Sequence, residues 1–273
     1  MNHERKDSMT HSNALRITVF GLVAFSALAL SGCSETSTAS ELGALQIRLT
    51  DCPADHRELA AFISDDASGT GRSDNLSHTR LDVIRDVLTQ VAVCGGRAKI
   101  VAFSSSAAAT ATIYESELKP AGATENARLR RVPALIDAAM ETVNANYASA
   151  VESVPPGGTD VFSQLTLGRE YIYQLASFGT DPSLWLVIQS DGIQTVGSHL
   201  ADPSLTPEQG TAIGSNVAVP QLPGVDVLIT GIGKTAGDPP STTYIDALKA
   251  AYQAACENTS AASCTIVTDY AGR

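Results

Sequence analysis

Short apolar runs and helical periodicities alternate along this chain. Leu59–Ser64 (LAAFIS), Lys99–Ser105 (KIVAFSS), Leu184–Asp191 (LWLVIQSD) and Val225–Gly233 (VDVLITGIG) are runs of strand length that end in polar or glycine-containing turns. Between the first two, Thr79–Val93 places Leu81, Val83, Ile84, Val87 and Leu88 at a helical period. Ala111–Leu118 reads as a short edge strand, and Asn126–Val154 carries a long helical pattern interrupted at Pro133. Asp160–Ser177 continues as helix, Tyr244–Cys256 is the last clear helix, and Cys264–Tyr270 follows as a strand. This alternation predicts a doubly wound α/β fold, with a mostly parallel central sheet and helices on both faces. Ligands of such folds bind beyond the carboxyl ends of the strands. Residues 192–224 break the pattern with scattered Gly, Pro, Ser and Thr, predicting a long surface connection with one short helix near Pro207. After the last strand no closing helix is evident, so that sheet edge is expected to be less covered.

Ahead of this pattern lies a different one. Arg5, Lys6 and Arg16 precede an apolar stretch, Ile17–Leu30, and then Leu30-Ser31-Gly32-Cys33. This is the layout of a secretory signal with a small-residue cleavage site. The stretch is short for a membrane span, which needs about 20 residues. Leu-Ser-Gly-Cys resembles a bacterial lipobox, which implies cleavage before Cys33 and attachment of diacylglycerol to its thiol. The expected organisation is a signal over 1–32, lipidated Cys33 with a flexible Ser/Thr-rich tether and lead-in over 33–56, and one domain over 57–273. The implied location is the bacterial cell envelope, facing the periplasm or the exterior.

Three short segments carry the chemistry. They are Asp66-Ala67-Ser68-Gly69-Thr70, Gly157-Gly158-Thr159-Asp160 and Ser190-Asp191-Gly192, each beside a predicted strand or helix. Alone, each is an ordinary turn or helix cap. Together they offer the hydroxyls of Ser68, Thr70 and Thr159 and the carboxylates of Asp66 and Asp191, an oxygen set suited to one hard divalent cation. Their kinds and order resemble the metal-ion-dependent adhesion site of the von Willebrand factor A (VWA) family, over roughly residues 57–270. The runs at Leu59, Lys99, Leu184 and Val225 resemble that family's strands. Thr70 stands where the family normally has Ser, which keeps the oxygen and adds a methyl group.

The resemblance implies a Mg²⁺ site, with Mn²⁺ or Ca²⁺ as alternatives. Neutral hydroxyls would touch the ion without cancelling its charge, and Asp66 and Asp191 would act largely through water. It implies a membrane-tethered binding module and not an enzyme, whose partner is a protein or peptide presenting Asp or Glu. The alternatives are a hydrolase using the cation as a Lewis acid and a structural lipoprotein with a vestigial site. Besides Cys33 there are four cysteines, Cys52, Cys94, Cys256 and Cys264, which suggest two disulfides outside the cytoplasm and allow three connectivities. In the family the first two strands are parallel neighbours, which implies Cys52–Cys94. Cys256 ends a helix and Cys264 opens the last strand, so these should also lie close.

Charge narrows the partners. The chain has 18 Lys/Arg against 29 Asp/Glu, and loss of residues 1–32 would remove three and two of these, leaving 15 and 27 and a formal charge of −12. So acidic a surface disfavours nucleic acid. Gly231-Ile232-Gly233-Lys234-Thr235 imitates the end of a phosphate-binding loop, but Leu228 stands where the first glycine belongs, and no nucleotide is expected. His3, His11, His56, His78 and His199 have no metal or triad spacing. Trp185 reads as core packing, and Tyr171 and Tyr173 read as helix-face residues and not as a binding platform.

Overall fold

Every residue of β1, Leu59–Asp66, is buried, as befits a strand with neighbours on both edges and helices on both faces. The computed structural model describes residues 35–55, 57–69 and 74–272. The predicted signal, Cys33, His56 and Thr70 lie outside the described residues. β1 pairs in parallel with β2 (Gly96–Phe103) on one side and, across the sheet, with β4 (Ser183–Gln189) on the other. β3 (Thr110–Leu118) runs antiparallel along the outer edge of β2, while β5 (Asp226–Thr230) and β6 (Ser263–Val267) extend the parallel part beyond β4. The order is β3-β2-β1-β4-β5-β6 in six strands. The strand order reverses between β1 and β4, which puts the topological switch point at their carboxyl ends. This is the doubly wound, Rossmann-like α/β fold predicted from the sequence.

Strand side chains alternate between two cores. Leu59, Ala61 and Ile63 of β1, with Trp185 and Val187 of β4, pack against the helices α2 (Asp74–Cys94) and α4 (Val132–Ser153). Ala60 and Phe62, with Leu184, Leu186 and Ile188, face α5 (Phe162–Ser177) and α7 (Thr242–Glu257). Trp185 is core, as predicted, and Tyr171 packs its ring 5.2 Å from that of Phe62, whereas Tyr173 is exposed. The helix predicted near Pro207 is α6 (Pro207–Ser215), closed at its start by a capping box between Thr206 and Gln209. It lies so close to α7 that a Cβ at Gly210 or Gly214 would stand about 2 Å from the carbonyl oxygens of Ala247 and Ala251.

Some boundaries differ from expectation. The helical pattern around Pro133 breaks at Arg130–Arg131, between α3 (Glu125–Leu129) and α4, and Pro133 sits in the first turn of α4, where its missing N–H costs nothing. β6 ends at Val267, and the segment to Gly272 runs back past α2, with the Tyr270 hydroxyl donating to Asp86 at 3.1 Å. The expected flexible tether is corrected: residues 35–48 form a helix, α1. Leu42, Leu45 and Leu49 are spaced three and four apart and make an apolar stripe that docks on the α2–α4 core. Arg48 pairs with Asp86, and its carbonyl accepts from Gln90 Nε2 at 2.9 Å. The lead-in therefore belongs to the domain, whose packed structure begins before residue 57.

Both implied disulfides are present. Cys52–Cys94 joins the turn before β1 to the end of α2, and Cys256–Cys264 joins α7 to β6, with Cα separations of 5.4 and 6.1 Å. They close segments of 42 and 8 residues. The chain-entropy argument makes the first worth about 4 kcal/mol and the second about 2.5 kcal/mol. In denaturant unfolding, Cys52→Ala/Cys94→Ala is therefore expected to lose more stability than Cys256→Ala/Cys264→Ala.

Candidate functional site

The first and third chemical segments meet where β1 and β4 end. Asp66 is the last residue of β1 and is fully buried. One of its oxygens accepts from the Ser68 backbone N–H at 2.8 Å, turning the chain sharply, and the other accepts from the Ser190 hydroxyl at 2.6 Å. Asp191 follows, also buried, with Oδ1 held by the Ile193 N–H at 2.9 Å and its carbonyl by the Gly233 N–H at 2.9 Å. Gly192 has φ +79°, and its carbonyl accepts from the Tyr252 hydroxyl at 2.9 Å. A Cβ there would come 2.7 Å from Ile232, so glycine meets both the backbone and the space requirement.

The second segment is brought to the same end from outside the sheet. The Asp160 N–H donates to the carbonyl of Ser104, just past β2, at 2.9 Å. Thr159, itself buried, is clasped by the loop after β4: its N–H donates to Thr195 Oγ1 at 2.7 Å, and its carbonyl accepts from the Thr195 N–H at 3.1 Å. Gln194 completes the clasp. Its amide accepts from the Val161 N–H at 2.6 Å and donates to Asp160 Oδ1 at 3.0 Å. The 192–224 connection, read from sequence as a surface loop, thus orders the Thr159 segment. Gln194 is itself 1 % exposed, and its role leaves no local signal in the sequence. His78, near the first segment, is exposed.

A buried charge network lies directly behind. Asp65, adjacent to Asp66 but on the α2–α4 side, accepts from the Tyr147 hydroxyl at 2.5 Å and lies 3.4 Å from Arg80 Nη1. Arg80, on α2, also donates to the Asp66 carbonyl at 2.5 Å. Burial pushes the Asp65 carboxyl up, with Arg80 and Tyr147 opposing it. Burial would weaken the Arg80 charge, yet Asp65 and Asp66 outweigh it and hold the guanidinium protonated. Burial, followed by the charge of Asp65, drives the Tyr147 hydroxyl far above its ordinary range, which keeps it a donor.

The side chains of Ser68, Thr159, Asp66 and Asp191 present oxygen alone, the donor chemistry of a hard cation. The Ser104 hydroxyl beside them is fully buried and has no hydrogen-bond partner among the described residues. These features fit a divalent ion held mainly by hydroxyls and water. Among the described residues no group of three or more His, Cys, Asp or Glu could hold a metal ion. No helix among them is long and apolar enough to cross a membrane.

No protein-family model and no curated protein matches the chain. Among solved structures, a conserved hypothetical protein, BatB, from Bacteroides thetaiotaomicron is similar at 10 % identity, covering 80 % of this chain and 91 % of that one with a TM-score of 0.35. A likeness at that level does not bear on what the chain does.

Arg80→Met is expected to cost about 3–5 kcal/mol, because it strands Asp65 as a buried charge. Adding Asp65→Asn should restore at least half of the loss, as read from urea midpoints.

Proposed function

We propose that the chain is a lipid-anchored binding module of the VWA type in a bacterial cell envelope, capturing an acidic group of a partner protein through a divalent cation. The observation that carries this reading is the Ser190–Asp66 hydrogen bond, which joins segments 124 residues apart in the order of an adhesion site. Ser68, Thr70 and Thr159 would hold the ion, with Asp66 and Asp191 orienting its waters. Mg²⁺, or Mn²⁺ or Ca²⁺ in its place, supplies an electrophilic point at which a partner's carboxylate can dock. The clasp of Gln194 on Asp160 and Val161 fixes the Thr159 backbone before any ligand arrives, which limits the ordering cost of binding.

Capture of this kind needs neither nucleophile nor general base, so the reading is of a binder and not an enzyme. The signal over 1–32 and lipidation at Cys33 belong to the same proposal. Only Ser34 then separates the anchor from α1, which would hold the domain close to the bilayer.

Titration of the intact chain with Mg²⁺ and Mn²⁺ tests the site. Saturable one-site binding is expected, with at least about tenfold loss in Asp66→Ala/Asp191→Ala. Metal at a hundred times its Kd should raise stability by about 2.7 kcal/mol. A folded wild type indifferent to metal in both measurements would overturn the reading.

A further inference from the structure

Of the side chains assigned to the cation, Thr159 alone comes from outside the loops that follow β1 and β4. It lies in the connection between α4 and α5, so the sheet does not fix its place. The segment that follows Asp191 does so instead. The Thr159 N–H donates to Thr195 Oγ1 at 2.7 Å, and its carbonyl accepts from the N–H groups of Thr195 and Val196 at 3.1 and 3.3 Å. Both polar backbone groups of one residue are thus taken up by one loop. A β-branched side chain has few rotamers on a fixed backbone, so the Thr159 hydroxyl is placed along with its peptide.

The holding segment is itself pinned. The Gly233 N–H donates to the Asp191 carbonyl and the Leu200 N–H to the Gln194 carbonyl, each at 2.9 Å. Within the segment, the Ile193 N–H holds Asp191 Oδ1, and Gln194 Nε2 donates to the Val196 carbonyl at 2.6 Å. One short stretch, Asp191–Val196, therefore carries a site carboxylate and also holds the segment that carries a site hydroxyl. The two loops are in close contact: a Cβ at Gly158 would stand 2.8 Å from Thr195 Oγ1 and 2.9 Å from Val196 Cγ2. Gln194 is buried and makes several bonds at once, which serves the shape of the loop. Thr195 is half-buried, and its hydroxyl meets the Thr159 segment at one atom.

We propose, resting on the metal reading above, that Thr195 is a positioning residue of the site. Its effect is exercised through Thr159 and not by contact with the ion. By accepting the Thr159 N–H it holds that peptide in place before the ion arrives, and so sets how tightly the ion is bound. Groups that orient a metal's ligands from behind change affinity about 10- to 100-fold when they are removed.

The test is titration of the intact chain with Mg²⁺, beside hydrogen exchange without metal. Thr195→Val keeps the shape and removes the acceptor, whereas Thr195→Ser keeps the acceptor. Thr195→Val is expected to raise the Kd about tenfold or more, and Thr195→Ser to recover most of that loss. Without metal, the Thr159 amide should exchange faster in Thr195→Val than in the wild type. Cys256→Ala/Cys264→Ala destabilises the domain away from the site and should leave the Kd unchanged, which separates positioning from general loss of stability. Should Thr195→Val fail to fold, Gly158→Ala takes its place with the same expectation, because its Cβ crowds Thr195 Oγ1 from an exposed position. The proposal is overturned if the folded variant binds Mg²⁺ as tightly as the wild type, if Thr195→Ser fails to restore affinity, or if the disulfide variant loses as much. A folded wild type indifferent to Mg²⁺ would overturn the metal reading itself, and this proposal with it.

Discussion

Two adjacent carboxylates close the central strand, and both are fully buried. Alternation sends Asp65 towards α2 and α4 and turns Asp66 to the loops, so each must be satisfied by a different part of the molecule. Arg80 and Tyr147 serve the first, from two helices; the Ser68 amide and the Ser190 hydroxyl serve the second, from two loops. Arg80 reaches both, through the Asp65 carboxylate and the Asp66 carbonyl. The requirement that buried charge be paired thus ties the helical layer, the sheet end and the candidate site into one arrangement.

Much of this was legible in advance, for physical reasons that can be named. The strands β1 and β4 are nearly uninterrupted apolar runs because both of their faces are covered, and such runs stand out without any partner being known. The loop hydroxyls and carboxylates stood out because they gather in short segments beside those runs. The helix α1 was misread because Ser and Thr at its start suggest a tether, whereas Leu42, Leu45 and Leu49 downstream supply the docking stripe that makes the whole segment helical. Arg80, Tyr147 and Gln194 could not be singled out in this way. Their roles rest on contacts with residues 15, 82 and 33 positions away, at Asp65, Asp65 and Val161, which no local pattern encodes.

The proposed function also bears on the chain's own charge. With a formal charge of −12 after the proposed loss of residues 1–32, the surface repels the carboxylate-bearing partner it is proposed to bind. A cation held by neutral hydroxyls would reverse that sign at one point only. Recognition would then depend on one short-range contact, with the rest of the surface discouraging nonspecific association.

Cys52–Cys94 secures the chain where it enters β1, and the candidate site lies at that strand's other end. Tension between the N-terminal lead-in and something held at the loops would run along β1. Its hydrogen bonds to β2 and β4 would be loaded in shear, all bearing the force together, where a pull across the sheet would open them one by one. The disulfide passes part of the same load to the end of α2. A domain wired in this way is suited to resisting such a pull.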